Sequence, residues 1–346
     1  MVAQKQALAL LLSLLAFSFI LEPSLGAVDE PGIAVYWGQD GREDTLQQTC
    51  DSGNFKYVIL AFLTVFGCGR TPNWNFAGHC TEPWTPCSTL APGIQYCQSK
   101  NIKVLLSLGG APGDLSNYSL CSPEDAQNVA DYLYQNFLSG QNGPLGSVTL
   151  DGIDFDIEGF SNLYYDDLAK ALKAYSTEER KIYLGAAPQC PIPDYYLDTA
   201  IKTGLFDYIF VQFYNNAQCQ YSSGNPTDLF NSWDDWTSRV LPNNSVYLGL
   251  PANPSAAGSG YIPPADLINT VLPYVKQASN YGGVMLWSRY WDIQTNPSYS
   301  DQISPYIGNS ALQSVVAIKN AVFECVSSTL YRLFLKSGPW KSLMSM

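Results

Sequence analysis

Short apolar segments recur eight times along this chain of 346 residues, and they constrain its fold more than any other feature. Each segment is nearly continuously apolar rather than alternating, which is typical of parallel strands that are buried on both faces. The sequence therefore predicts eight strands, which begin near Gly32, Tyr57, Lys103, Val148, Lys181, Tyr208, Val246 and Gly283.

Helix-like segments separate several of these strands. Residues 122–138 begin with Ser122 as an N-cap, and residues 163–176 place apolar side chains at helical spacing. A third segment covers residues 264–278, where we expect Pro273 to kink or break the helix. The stretch before the second strand has little helix signal. The stretch before the third strand is rich in Pro and Cys and is predicted to be a loop.

Eight strands with intervening helices over roughly 280 residues predict an α/β fold, a single-domain (β/α)8 TIM barrel. A doubly wound open sheet is the alternative, and it would place a Gly-rich phosphate-binding turn after an early strand. The residues that follow the first strand read "YWGQDGRED" and do not match G-x-G-x-x-G. We therefore expect one barrel domain over residues 27–310.

The fourth strand segment reads "DGIDFDIEG" and carries acidic residues among apolar ones, although burying a carboxylate is costly. Alternate side chains of a strand share a face, in steps of roughly 6.6 Å per two residues. Asp154, Asp156 and Glu158 therefore point together into the barrel, and Asp151 has the opposite parity. The residues that point the other way, toward the helices, are Ile153, Phe155 and Ile157.

Glu158 ends this ladder of acids at the carboxyl end of its strand, where barrels of this type keep their active sites. Neighbouring carboxylates cannot all ionise cheaply, so a protonated Glu at this place would be a general acid. The same spacing could also arise by chance in an acidic chain, could bind Ca²⁺ or Mg²⁺, or could belong to a solvated edge strand. The apolar interleaving argues against the edge strand, whereas cation binding stays open.

The charge balance restricts the partners. The formal net charge is −12 with a single His, so phosphate backbones and anionic membranes would be repelled and no nucleic acid is expected. One His and no Cys-x-x-Cys pair leave little for a zinc site, and no EF-hand spacing appears. We expect no metal and no cofactor, and we expect an uncharged or cationic ligand.

The two termini differ from the barrel segment. Residues 1–26 combine Lys5 with an apolar run that is too short for a comfortable membrane span, which predicts a secretory signal peptide, with a retained membrane anchor as the alternative. The secretory route permits disulfides, and the chain has nine cysteines, an odd number that leaves at least one without an intramolecular partner. Residues 311–346 form a more basic extension to which we assign no function.

The acidic motif resembles the D-x-x-D-x-D-x-E signature of glycoside hydrolase family 18. The wider sequence is similar to plant class III chitinases of the hevamine type over about residues 31–300. The segments that carry the resemblance are "AVYWGQDG", "LSLGG", "AAPQCP", "TGLFDYIFVQFYNN", "CQYSSGN", "LGLPA", "AAGSGY" and "YGGVMLWS".

The resemblance implies roles for four residues. Glu158 would protonate the glycosidic oxygen, while the 2-acetamido carbonyl of the substrate, rather than a second carboxylate, would attack the sugar. Asp156 would orient the acetamido group, and Asp154 would share a proton with Asp156. Tyr214 would hydrogen-bond the acetamido oxygen. The implied substrates are chitin and N-acetylglucosamine oligomers.

The resemblance also implies the surroundings of the site. Trp287 would form the floor under the sugar at the cleavage point, and further cleft positions match Tyr36, Gln39, Phe62, Asn75 and Gln212. The implied disulfides are Cys50–Cys97, Cys80–Cys87 and Cys190–Cys219. Three cysteines are then additional, with the pairing of Cys68 and Cys121 left open and Cys325 unassigned.

The functional prediction is a secreted, monomeric endochitinase that defends against fungi and acts in the apoplast, with the vacuole as the alternative location. The rival prediction is a relative on the same fold that has weak or no catalysis: a carbohydrate-binding protein, a glycosidase inhibitor or a cation-binding seed storage protein. Departures from the commonest family sequences, such as "IEGFSN" and "GGAPGDL", fall at the cleft rims and affect subsite preference.

Overall fold

Eight parallel strands form a closed barrel in the computed structural model, which describes residues 30–80 and 84–308. Each strand pairs with the next along the chain, and the last strand pairs with the first. The strands are β1 Gly32–Trp37, β2 Phe55–Phe66, β3 Lys103–Gly110, β4 Gly152–Ile157, β5 Tyr183–Ala186, β6 Tyr208–Gln212, β7 Ser245–Pro251 and β8 Tyr281–Trp287. The predicted (β/α)8 barrel is confirmed. The predicted signal peptide, the C-terminal extension and Cys325 lie outside the described residues.

Helices follow the strands around the outside of the barrel. They are α1 Leu46–Asp51, α2 Ala91–Ser99, α3 Pro123–Leu133, α4 Tyr165–Lys173, α5 Asp198–Ile201, α6 Thr227–Arg239, α7 Pro264–Asp266, α8 Leu272–Val275, α9 Arg289–Asp292 and α10 Tyr299–Ile303. Ser122 caps α3 by accepting a hydrogen bond from the Asp125 amide, as predicted. A π turn, Leu267–Val271, joins α7 to α8, and Pro273 is the second residue of α8. The third predicted helical segment is therefore present and irregular.

The prediction of a loop before the third strand was wrong, because α2 occupies the end of that stretch. Its proline, Pro92, lies in the first helical turn, where the missing N–H would have had no partner within the helix. The longest helix, α6, was not predicted from the sequence. None of the helices in the described ranges is long and apolar enough to span a bilayer.

Two apolar layers give the barrel its alternating faces. The outer layer, between strands and helices, contains Ile153, Phe155 and Ile157, all almost fully buried. The inner layer fills the barrel itself with side chains from the other parity, among them Ile59, Leu105, Tyr208, Phe210 and Met285. The parity predicted for β4 is therefore confirmed. Asp151 lies apart from the inner layer and accepts hydrogen bonds from Gln98 Nε2 and the Val104 amide.

Four disulfides connect loops and helices among the described residues. Three are the pairs that the family resemblance implied: Cys50–Cys97, Cys80–Cys87 and Cys190–Cys219. The fourth joins Cys68 to Cys121, the pair that the sequence left open. It connects the segment after β2 to the segment before α3. Asp125 lies beside these two sulfur atoms, but the disulfide leaves them without a thiolate that could bind a metal.

Candidate active site

A cavity of about 390 Å³ opens at the carboxyl ends of the barrel strands. It brings together nine of the side chains that the sequence singled out. These are Tyr36, Gln39, Phe62, Asn75, Asp156, Glu158, Gln212, Tyr214 and Trp287. The cavity wall also includes Thr64, Asn215, Ala256 and Ser116, which were not named as site residues. The loop after β3 contributes Gly113, Asp114 and Leu115, which belong to the segment "GGAPGDL" that the sequence places at the cleft rim.

Asp154 lies beneath this cavity in the barrel interior and is fully buried. Its Oδ2 accepts hydrogen bonds from Tyr36 Oη at 2.8 Å and from Ser107 Oγ at 2.6 Å. Its Oδ1 is buried and has no hydrogen-bond partner in the described part of the chain. Burial raises the pKa of Asp154 to about 6, although both hydroxyl donors favour the ionised form.

Asp156 stands one step higher on β4, at the bottom of the cavity. Its Oδ1 accepts a hydrogen bond from Gln212 Nε2 at 2.9 Å, and the same amide nitrogen donates to the Ala187 carbonyl at 3.0 Å. Both partners are acceptors, so the Gln212 amide can only face them with its nitrogen. Burial and the nearby Glu158 and Asp154 carboxyls raise the pKa of Asp156 well above its usual value.

Glu158 follows the last residue of β4 and is half-buried at the cavity wall. Its Oε2 accepts a hydrogen bond from Gln189 Nε2 at 3.1 Å, and Gln189 Oε1 in turn accepts one from Asn216 Nδ2 at 3.0 Å. Burial raises the pKa of the Glu158 carboxyl, and the hydrogen bond from Gln189 opposes that shift. A raised pKa keeps a larger share of this side chain protonated at mildly acidic pH, as a proton donor requires.

Gln189 and Asn216 were not predicted as site residues. Both belong to segments that were recognised as strand ends, "AAPQCP" after β5 and "QFYNN" after β6. The sequence offered one signal for these two residues: each is an amide side chain just beyond the carboxyl end of a barrel strand, where side chains line the mouth of the barrel. Such a signal does not identify the partner, since Gln189 and Glu158 are 31 residues apart in the sequence.

Aromatic side chains form the floor of the cavity beside the acids. The rings of Trp287 and Phe62 lie stacked with centroids 5.9 Å apart, and Tyr36 meets Trp287 edge-on at 5.6 Å. Tyr214 is buried near Asp156 and Glu158, and burial followed by these two carboxyls raises its pKa well above the usual value. Tyr214 therefore remains a neutral phenol that can donate a hydrogen bond.

A buried polar cluster braces the loops on the β1 and β8 side of the cavity. Glu43 accepts hydrogen bonds from the Gly38 amide at 2.6 Å and the Tyr290 amide at 3.1 Å, so one carboxylate joins the segments after both strands. The adjacent side chain of Gln39 donates through Nε2 to three backbone carbonyls, those of Ala61 at 2.8 Å, Asn75 at 3.1 Å and Gly38 at 3.3 Å. Its amide nitrogen is thus occupied within the protein.

The buried ladder of acids should cost stability at neutral pH. A carboxyl whose pKa is raised in the folded state favours folding below its unfolded pKa, and that contribution is lost as the pH rises through the folded value. For Asp154 the window runs from its ordinary value of 3.8 to about 6. The free-energy cost at pH 7 is on the order of 3 kcal/mol.

Asp154→Asn should therefore raise the midpoint of thermal unfolding at pH 7 and change it little at pH 4. An asparagine can keep both hydroxyl partners on its oxygen, because Tyr36 and Ser107 donate to the same carboxylate atom. Calorimetry of both proteins between pH 4 and pH 7 measures the difference. If the difference in unfolding midpoint between the two proteins stays constant with pH, the pKa argument is wrong.

Known proteins resemble this chain in both sequence and structure. The sequence profile of the family described as "Glycosyl hydrolases family 18" matches residues 32–259. An acidic endochitinase of Phaseolus angularis is 53% identical over 86% of this chain and 96% of its own length. Among solved structures, ICChI chitinase from Ipomoea carnea is 49% identical, with a TM-score of 0.73 and coverage of 80% of this chain and 100% of the other.

A relative that is named for a different activity is similar as well. The xylanase and alpha-amylase inhibitor protein of Scadoxus multiflorus is 44% identical, with a TM-score of 0.72 and coverage of 79% of this chain and 97% of the other. Overall similarity therefore does not by itself distinguish a hydrolase from an inhibitor on this fold. The distinction has to come from the side chains of the site.

Proposed function

The chain belongs to glycosyl hydrolases family 18, and from that premise we propose that it is an endochitinase that hydrolyses β-1,4 linkages between N-acetylglucosamine units. The observation that carries the proposal is the position of Glu158. It is half-buried with a raised pKa, directly above Asp156, in a cavity that is open to solvent. These are the properties of a general acid that a polymer can reach.

The first chemical step uses the acid and the substrate together. With a sugar on Trp287, Glu158 transfers its proton to the glycosidic oxygen as the bond from that oxygen to the anomeric carbon breaks. The acetamido carbonyl oxygen of the same sugar forms the new bond to the anomeric carbon. The product is a cyclic oxazolinium ion, and the leaving chain departs with the proton of Glu158 on its new hydroxyl.

Asp156 and Tyr214 stabilise this intermediate from below. The Asp156 carboxylate accepts a hydrogen bond from the acetamido N–H and faces the positive charge that develops on the ring. The Tyr214 phenol donates to the acetamido oxygen and holds it in line for attack. Asp154 is too deeply buried to contact substrate, so it acts through Asp156 by sharing a proton as the charge rises and falls.

The second step returns the enzyme to its starting state. Glu158, now ionised, removes a proton from a water molecule, whose oxygen attacks the anomeric carbon on the face that the leaving chain vacated. The bond to the acetamido oxygen breaks and the amide is restored. Two successive inversions give overall retention, so the new reducing end is the β-anomer.

The same fold could serve a binding protein or an inhibitor, which is the rival prediction from the sequence. A binder has no need of a raised pKa on an accessible carboxyl, nor of a buried phenol held above two acids. Glu158, Asp156 and Tyr214 are all present and line an open cavity among the described residues. The site therefore favours hydrolysis.

An assay of the unmodified protein on a soluble N-acetylglucosamine hexamer tests the proposal. We expect reducing ends to accumulate and the β-anomer to appear first when the products are followed by NMR during the first minutes. Binding of the hexamer without new reducing ends would favour the carbohydrate-binding alternative. An initial α-anomer would exclude attack by the acetamido group, because a direct attack by water inverts the configuration.

We also propose the wider setting from the sequence and the relatives. The protein acts as a monomer on chitin outside the cell, in the apoplast, with the vacuole as the alternative destination, and it contributes to defence against fungi. Residues 27–310 form the catalytic domain. Its substrate is uncharged, so the net charge of −12 does not oppose binding, whereas it would oppose nucleic acid and anionic membranes.

A further inference from the structure

The backbone of Glu158 is held by a side chain rather than by the barrel. The pairing between β3 and β4 ends at Gly110 and Ile157, so the next amide, that of Glu158, has no place in the ladder. Its N–H instead donates to the phenol oxygen of Tyr118 at 3.2 Å. The Tyr118 hydroxyl donates in turn to the Gly110 carbonyl at 2.5 Å. One phenol thus caps the carboxyl ends of two adjacent strands.

Tyr118 is well placed to fix that amide because it is itself immobilised. It is fully buried, and it belongs to a two-residue strand, Asn117–Tyr118, that pairs in parallel with the end of β2. Its ring stacks on Phe66 with the planes 9° apart and meets Phe160 edge-on at 4.9 Å. A side chain held on both faces loses little further freedom when it makes a hydrogen bond.

A second brace holds the segment that carries Tyr118. The disulfide Cys68–Cys121 joins the chain three residues after Tyr118 to the segment that follows β2. The Asp125 carboxylate accepts hydrogen bonds from the amides of both cysteines, at 2.7 Å and 3.0 Å. These two cysteines are additional to the disulfides that the family resemblance implied, so the brace was not expected from it.

We propose that Tyr118 is a positioning residue for Glu158, and that the Cys68–Cys121 disulfide with Asp125 keeps Tyr118 in place. The inference rests on the proposed function of Glu158 as the acid. Tyr118 does not line the cavity, so it acts on the reaction only through the main chain of Glu158. When the Glu158 amide is fixed, its carboxyl stays against Gln189 and out of bulk water, and the carboxyl remains protonated where the acid is needed.

Tyr118→Phe is the direct test, because it removes one oxygen atom and leaves the stacked ring. The change leaves the Glu158 amide and the Gly110 carbonyl unpaired, so we expect kcat to fall about tenfold with KM changed less than about twofold. We also expect the basic limb of the kcat profile to move to lower pH, because a looser Glu158 is better hydrated. The other titratable groups that face Glu158 are Asp156 on β4, Asp194 after β5 and Tyr214 after β6, and the substitution alters none of them.

Tyr165→Phe is the matched control. Tyr165 is equally buried, and its hydroxyl has no hydrogen-bond partner in the part of the chain that the structure describes. Removing that oxygen should leave kcat and the position of the basic limb unchanged. An equal loss in both variants would show that buried tyrosine hydroxyls matter only for general stability, and the proposal would be wrong.

The double variant Cys68→Ser/Cys121→Ser tests the brace. If the disulfide acts through Tyr118, its removal lowers kcat in the otherwise unmodified protein. In the Tyr118→Phe background the same removal causes no further loss of kcat. Independent, additive losses would overturn that part of the proposal.

A titration of the Glu158 carboxyl carbon by ¹³C NMR gives a readout that does not depend on turnover. We expect a lower pKa for Glu158 in Tyr118→Phe than in the unmodified protein or in Tyr165→Phe. An unchanged pKa together with wild-type kcat would refute the positioning role. A lower pKa in a protein that cleaves no substrate would support the role of Tyr118 and contradict the proposed function instead.

Discussion

Glu158→Gln should lower kcat on a soluble N-acetylglucosamine oligomer by about 10³-fold while leaving the Kd of that oligomer within about twofold. General acid catalysis contributes on the order of 10²- to 10⁴-fold, and an amide cannot supply the proton. The substitution preserves size, and its oxygen can still accept the hydrogen bond from Gln189 Nε2. The cavity should therefore keep its shape and lose only its donor.

Asp151→Asn is the natural control for that experiment. It lies in the same acidic motif but on the opposite face of the strand, where it accepts hydrogen bonds from Gln98 and the Val104 amide. The kcat of the Asp151→Asn variant should stay within about twofold of that of the unmodified protein. Initial rates from reducing-end release and Kd from calorimetry complete the comparison. Normal turnover in Glu158→Gln would remove the acid from the mechanism, whereas equal losses in both variants would point to a general effect of charge in the motif.

The parity of one strand explains why the sequence could place the three acids together. Because side chains alternate in a strand, the spacing of Asp154, Asp156 and Glu158 required them to share a face once β4 was buried. The continuous apolar character of the eight segments then made the shared face the inside of a parallel barrel. Both inferences depend on local spacing, which a sequence displays directly.

The parts that could not be predicted depend on pairing between distant loops. Nothing local marks Tyr118 as the partner of the Glu158 amide, since 40 residues separate them. The same holds for Gln189 and Asn216, which order the Glu158 carboxyl from two other loops. The error at α2 has a local cause, because the prolines and cysteines of that stretch also suit a loop, and a helix can hold Pro92 in its first turn.

The site illustrates why function and stability oppose each other in this barrel. The same burial that raises the pKa of Asp154, Asp156 and Glu158 makes each ionised form costly in the folded state. The chain holds these groups with hydrogen bonds from neutral donors rather than with basic partners, since a Lys or Arg beside them would lower their pKa. The cationic side chain of Arg289, which follows β8, is instead paired with acids elsewhere, at Asp44 and Asp292.

The second large effect should come from the substrate. Removing the acetyl group from the sugar at the cleavage point should abolish hydrolysis, with a rate loss on the order of 10⁵-fold or more. An intramolecular nucleophile has an effective concentration on the order of 10⁵ to 10⁸ M, and an amine at the same carbon cannot replace the carbonyl oxygen. Weak binding would not explain such a loss, because the deacetylated sugar is cationic and the protein carries a net charge of −12.

Partially acetylated chitosan makes this test internally controlled, since every chain offers the enzyme both kinds of sugar. We expect mass spectrometry of the products to find N-acetylglucosamine at each newly formed reducing end, whereas the new non-reducing ends should carry either sugar. Fully deacetylated oligomers should bind and remain uncut. The difference in composition between the new reducing ends and the new non-reducing ends is the decisive measurement. A cleft that merely preferred acetylated chains would enrich N-acetylglucosamine on both sides of the cut. Glucosamine at a substantial share of the new reducing ends would mean that the acetamido group is not the nucleophile, and either a water molecule or a carboxylate such as Asp156 would then have to attack the sugar.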